Sequence, residues 1–270
     1  MIKFKNLLLL ALFLSASVAS TERIITLSPH LTEWVYSLQS GDKLVAVSEF
    51  SDFPNEAKQL PVVASHHGVN FKRLIALKPT FILAWDGGNK TQDIARLRAL
   101  GYEVFTSSPN SPAGLSSEIR QLAKRLNKTE LAKELTHRFT QDIAEIRQQF
   151  GSKKQRVFYY YWEKPLMTIG AGTWANQLLN LCGAQTIFSD SPVDFPEVSL
   201  HDVLKRQPTK LIASSHHSQQ VLEQFWKPHR NVLKAPLIKV NPDIFGRFTL
   251  RLPGELLQVC EKIASEPSPH

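Results

Sequence analysis

Cysteine is nearly absent from this chain, with Cys182 and Cys260 alone among 270 residues. So low a number excludes a small disulfide-dense domain, and a zinc site would need more ligands at matching spacing. Long basic runs are missing too. Lys and Arg outnumber Asp and Glu by 32 to 24, yet no run exceeds a pair such as Lys153-Lys154. Scattered bases among acids make a solvated surface, so no nucleic-acid partner is expected. No apolar run is long enough to cross a bilayer, and no membrane insertion is expected. Catalytic templates are also lacking: there is no Walker loop, zinc-protease helix or G-x-S-x-G elbow. Gly170-Ala171-Gly172-Thr173-Trp174-Ala175 satisfies G-x-G-x-x-A, but it begins nine residues after the preceding strand ends, not in a strand-to-helix turn. A cofactor-using α/β enzyme is the weaker alternative, no cofactor is assigned, and the chain is read as a binder, not an enzyme.

What is present begins with an export signal. Lys3 and Lys5 precede the apolar run Leu7–Leu14, and Val18-Ala19-Ser20 offers a small-residue cleavage site, so residues 1–20 are expected to be removed. An oxidising compartment follows, the periplasm. There the two cysteines favour pairing over two free thiols. The 43% apolar and 21% charged composition is that of a globular chain.

Short apolar runs then alternate with helical stretches, the pattern of an α/β fold. The first set of expected strands is Arg23–Leu27, Leu44–Ser48, Phe81–Trp85 and Glu103–Thr106; the second is Arg156–Tyr161, Lys210–Ser214 and Leu237–Val240. Between them Leu131, Leu135, Phe139, Ile143, Ile146 and Phe150 recur at helical spacing, with no Pro or Gly from Asn127 to Phe150. The division expected is a lobe over 21–110, a stiff linking helix over 111–152 and a lobe over 153–270. An internal echo supports two similar lobes: Gly68–Ala84 aligns without gaps on Glu197–Ala213, with Pro79-Thr80 meeting Pro208-Thr209. Each copy reads as helix, Pro-Thr turn and buried strand. Two Rossmann-like lobes joined by one long helix would leave a cleft outside the carboxyl ends of the strands.

Aromatic residues crowd those strand ends. Phe50 and Phe53 follow Ser48, Trp85 precedes Asp86-Gly87-Gly88, Tyr159–Trp162 close the first strand of the second lobe, and Phe195 lies before the second echo. Together they suggest a broad, flat, partly apolar ligand. Asp243 and Arg247, in a loop broken by Pro and Gly, could hydrogen-bond its polar groups or pair with each other at i,i+4. The pairs His66-His67 and His216-His217 fall one in each lobe. Adjacent side chains of an extended segment diverge, so solvated loop histidines are the simpler reading and no metal site is assigned.

At this point a resemblance enters. Ile24–Glu33, Phe50-Ser-Asp-Phe-Pro54, Leu77–Asn89, Asn176–Gly183, Phe195–Ser199 and Val259-Cys260 resemble the periplasmic vitamin B12-binding proteins of ABC importers, over essentially the whole mature chain. The resemblance implies two α/β lobes on one long helix, a Cys182–Cys260 disulfide and cobalamin in the cleft as transported ligand. The contacts it implies are Phe50, His66, Trp85, Tyr161, Phe195, Asp243 and Arg247. Relative to the family pattern Phe50 replaces a Tyr, His66 and Phe195 replace Trp, and Tyr161 replaces a Phe. It also implies a monomer that docks on an inner-membrane ABC permease with its ATPase. Asp202 keeps the docking acid of the second lobe, while Lys72 stands where the first lobe's acid belongs, with Glu49 and Glu56 nearby. Haem or an iron–siderophore complex, held by His66 and Tyr161, is the alternative ligand on the same fold.

Overall fold

The apolar runs become the strands of two sheets in the computed structural model, which describes residues 22–265. The proposed signal, 1–20, lies outside the described residues. The chain runs β1 (Ile24–Thr26), α1 (Pro29–Ser37), β2 (Leu44–Ser48), β3 (Val62–Ser65), β4 (Gly68–Val69), α2 (Phe71–Ala76), β5 (Phe81–Trp85), α3 (Thr91–Ala99), β6 (Glu103–Ser107), α4 (Pro112–Arg125) and α5 (Thr129–Phe150). It continues through β7 (Gln155–Glu163), β8 (Leu166–Thr168), α6 (Trp174–Leu181), β9 (Ala184–Thr186), α7 (Leu200–Arg206), β10 (Lys210–Ser214), α8 (Gln219–Trp226), β11 (Leu237–Val240), α9 (Pro242–Phe245) and α10 (Leu252–Ala264).

The first sheet has the order β4-β3-β2-β1-β5-β6, parallel except for the short β3–β4 pair. The second has the order β11-β10-β7-β8, with β9 also pairing with β7. In it β7, β10 and β11 are parallel, and β8 runs antiparallel along the outer half of β7. The fold is therefore α/β in two lobes.

Side-chain alternation sorts each strand between two cores. On β5, Phe81 and Leu83 face the large central core, while Ile82 and Ala84 face an outer cluster with Ile94 and Leu97 of α3. On β7, Val157 and Tyr159 face the central core; Phe158 and Tyr160 face an outer one with Trp226. Trp226 Nε1 donates to the Tyr160 hydroxyl (3.0 Å), so neither polar atom is stranded. The central core is continuous from one lobe to the other, containing Ile24 and Trp34, Phe139 and Ile143 of α5, and Ile212 and Leu256.

The helical span between the sheets divides in two. Asn127 turns left-handed (φ +58°), Lys128 N–H bonds to the Ala123 carbonyl (2.8 Å), and Asn127 N–H bonds to that of Lys124 (3.3 Å). This is a Schellman ending with Asn at the position usually held by Gly. The 22-residue α5 then makes the connection by itself, packed against α4, α6 and α10. Helical periodicity reports a face and cannot report a two-residue reversal, which is why the span reads as one helix in sequence.

The echo is geometric as well as sequential. Asn70 caps α2 by accepting from Arg73 N–H, and Ser199 caps α7 by accepting from Asp202 N–H. Lys78 and Gln207, the residues before each proline, are left-handed at φ +46° and +45°. Thr80 and Thr209 each donate a backbone N–H to an arginine carbonyl of the adjoining strand, Arg23 (2.9 Å) and Arg156 (2.7 Å). Both units deliver an interior strand lying second from one edge of its sheet, β5 and β10.

Cys182, just past α6, is bonded to Cys260 within α10 across 78 residues, with Cα atoms 4.7 Å apart. Both are fully buried, so the link fastens the last helix into the central core.

Candidate ligand cleft

In parallel sheets every carboxyl end lies at one edge, so the loops after β1, β2, β3 and β5 gather together, as do those after β7, β10 and β11. The two edges meet. Arg247, after β11, reaches Asp52, after β2 (3.0 Å). The Phe248 ring lies 5.8 Å from that of Trp85 and 5.3 Å from that of His30. Trp34 Nε1 in α1 donates to the Phe248 carbonyl (2.7 Å). Segment 243–251 of the second lobe thus lies on the floor between the lobes.

Trp85 is aimed by its own loop. Its backbone N–H donates to Asn89 Oδ1 (2.7 Å), while Asn89 Nδ2 donates to the Leu27 carbonyl (2.8 Å). A side chain at Gly88 would run into the indole, so glycine there makes room for the ring. The half-buried indole meets His30 edge-on at 5.5 Å. His30 is fully buried and neutral, its pKa lowered to about 3 first by burial and then by the charge of Arg247. Its two ring nitrogens share hydrogen bonds with the hydroxyls of Ser28 (2.9 Å) and Ser107 (3.3 Å).

Phe50 is 74% exposed and left-handed at φ +61°. A bulky residue seldom tolerates that conformation, and the buried Ser51 beside it anchors the turn through Thr32 Oγ1 (3.0 Å) and Ser48 Oγ (3.1 Å). The result is an apolar ring held out at the mouth. His66 stands just past the neighbouring strand end, with Nδ1 3.8 Å from Glu49 and its ring tilted against that of His67, centroids 3.8 Å apart. It is exposed, and among the described residues no cluster of three or more His, Cys, Asp and Glu could hold a metal.

From the second lobe come Tyr161, half-buried near the end of β7, and Phe195, 61% exposed, with rings edge to face at 6.2 Å. Tyr159 and Tyr160 are core instead, and burial pushes the Tyr159 hydroxyl up to about 12. Arg247 donates to Asp243 (2.6 Å), the i,i+4 pair open in the sequence, but it also reaches the other lobe. His216 Nε2 lies 3.6 Å from the same Asp243 carboxylate.

Sequence reasoning missed the residue at the centre of these charges. Glu33 in α1 is 2% exposed and accepts from Arg251 Nε (2.9 Å), Arg251 Nη2 (2.6 Å) and Thr249 Oγ1 (2.5 Å). Arg247 Nη1 is 3.5 Å from it. A glutamate one turn beyond His30, on the face of α1 that buries Trp34, was the available signal: a carboxylate is buried only against a partner. Phe248 and Asp52 sat beside residues already singled out.

Two further places can be located. Asp202 is an exposed N-terminal residue of α7 that accepts from the Ser199 hydroxyl (2.6 Å). The Gly170–Ala175 stretch is no phosphate loop. A side chain at Gly170 would strike the Val193 carbonyl and one at Gly172 the Asp194 carboxylate, while Thr173 caps α6. Its glycines let segment 193–194 pass close.

Two facing edges that offer side chains to one cleft define a solute-binding protein. The periplasmic binding protein family model matches residues 24–232, and the chain belongs to that family. The vitamin B12-binding proteins of Yersinia pestis (strain Pestoides F) and Yersinia pseudotuberculosis (serotype O:3, strain YPIII) are each 38% identical over 263 residues, 97% of this chain and 93% of theirs. Among solved structures, the periplasmic vitamin B12 binding protein of Vibrio cholerae is 34% identical with a TM-score of 0.82, covering 90% of this chain and 96% of that one. The periplasmic heme binding protein of the same organism shares the fold at 21% identity (TM-score 0.79, 91% and 100% covered). The family binds solutes, and the chain is not an enzyme.

Proposed function

We propose that this protein captures cobalamin between its lobes and hands it to an ABC permease. The observation that carries this reading is the pairing of aromatic walls on both edges with a charged floor, in a chain 38% identical to vitamin B12-binding proteins over 97% of its length. Trp85 and Phe50 from one lobe, and Tyr161 and Phe195 from the other, would sandwich the corrin ring, burying flat apolar surface on rings that lose little entropy. Arg247 and Asp243 would donate to and accept from the peripheral amides. His66 would edge the same wall. No covalent step is involved.

Because α5 joins the lobes within a continuous core, the closure on binding is small. The loaded protein docks its rim on the permease, with Asp202 as the acid of the second lobe and Glu49 or Glu56 serving where Lys72 does not. Calorimetric titration of the mature protein with cyanocobalamin, and with haemin in parallel, tests the ligand. Tight one-to-one binding of cyanocobalamin alone is expected. Binding of haemin alone would overturn the assignment while leaving the fold.

A further inference from the structure

We propose that Glu33, together with Asp52, is the positioning element for Arg247: the first lobe sets the ligand grip of the second. The inference rests on the reading of Arg247 as a ligand contact. Arg247 belongs to the second lobe, since it follows β11 and α9. Yet two of the three carboxylates around its guanidinium come from the first, Asp52 at 3.0 Å and Glu33 at 3.5 Å; the third is Asp243 at 2.6 Å. Its side chain is 13% exposed, far less than a free cleft-side arginine would be.

Glu33 is held as firmly as it holds. Its carboxylate takes both arms of Arg251 and the Thr249 hydroxyl, so the backbone just after Phe248 is tied to α1. Trp34 adds its indole N–H to the Phe248 carbonyl. Removing a partner from a buried charge array leaves the other charges uncompensated, so the array is all-or-none in character. When the lobes are together, Arg247 has one orientation. When they part, the contacts from Asp52 and Glu33 are lost at once and the guanidinium is left to Asp243 alone. Ligand release then follows from lobe separation, which a permease can impose by pulling on both rims.

The test is a double-mutant cycle read by titration with cyanocobalamin. Mature wild type, Glu33→Gln, Asp52→Asn and Arg247→Ala are compared with the doubles Glu33→Gln/Arg247→Ala and Asp52→Asn/Arg247→Ala. Glu33→Gln should weaken binding about tenfold in the wild-type background and change it less than about twofold once Arg247 is gone, the signature of coupled sites. A residue that merely held the fold together would cost affinity equally in both backgrounds. Asp52 is 46% exposed, so Asp52→Asn folds even if Glu33→Gln does not, and it should show the same coupling with a smaller loss. Additive losses in either cycle would overturn the proposal while leaving the cobalamin reading intact. Unchanged affinity in Arg247→Ala, or no binding by wild type, would overturn the reading beneath it as well.

Discussion

The units Asn70–Trp85 and Ser199–Ser214 share a plan, and they part most clearly where their strands end. Both have a side-chain helix cap, a left-handed residue before proline, a threonine N–H tied to an arginine carbonyl, and an interior strand. Then β5 closes on Trp85 with the Gly87-Gly88 turn behind it, while β10 closes on Ser214, followed by half-buried Ser215 and the exposed His216-His217. The frame comes from caps, proline and a buried apolar run, which are local and repeatable. The proposed ligand wall comes from the residue that closes the strand and those just after it, and there the lobes are free to differ. A second difference lies in the fastening: the second lobe is cross-linked by Cys182–Cys260, and the first has no covalent tie among the described residues.

The largest effect should fall on that fastening. Cys182→Ser/Cys260→Ser is expected to cost about 4 kcal/mol of stability in the chain-entropy model of a loop this long. The loosening should be local, because α10 is what the bond holds. Amide exchange should accelerate in α6 and α10 while β1 and β5 keep their protection. Equal acceleration in both lobes would make them a single cooperative unit and erase the contrast.

Next comes the contrast at the strand ends. Trp85→Ala should weaken cyanocobalamin binding by about 2 kcal/mol, the scale of an aromatic anchor. His216→Ala, at the end of the matching strand, should change it by less than about 0.5 kcal/mol, as expected of an exposed residue. Equal losses would mean that both ends line the ligand and that the echo extends into the site.

The frame was legible in the sequence where its causes are local. Leu44–Ser48, Phe81–Trp85, Lys210–Ser214 and Leu237–Val240 are strands to the residue, because each is an apolar run between turn residues. The short strands β3, β4, β8 and β9 were not: at two to four residues they are too short for a periodicity to register. In the cleft, Trp85, Tyr161 and Phe195 could be singled out because aromatic groups beside Gly and Pro loops stand out along a chain. Glu33 offered only the weaker signal of a carboxylate within an apolar helix, since its partners Thr249 and Arg251 lie more than 200 residues away. The cap contrast sharpens the same point. Asn70→Ala and Ser199→Ala should each cost about 1 kcal/mol in urea unfolding and leave cyanocobalamin affinity unchanged. Unequal losses would show that one unit leans on its surroundings more than its twin.

The last effect is one of pH, and it is small only near neutrality. His30 is held neutral to about pH 3 beneath Trp85, whereas an unfolded chain would protonate it near its ordinary value of 6.5. Between those values the unfolded state binds the extra proton, so stability falls as the pH is lowered through this window and is untouched by the group above it. Relative to His30→Asn, the wild type should lose well under about 1 kcal/mol between pH 7 and pH 6, and progressively more below, with uptake of about one proton on unfolding. If His30→Asn kept the wild-type slope instead, the acid sensitivity would not come from this imidazole, and His30 would be serving only to shape the floor.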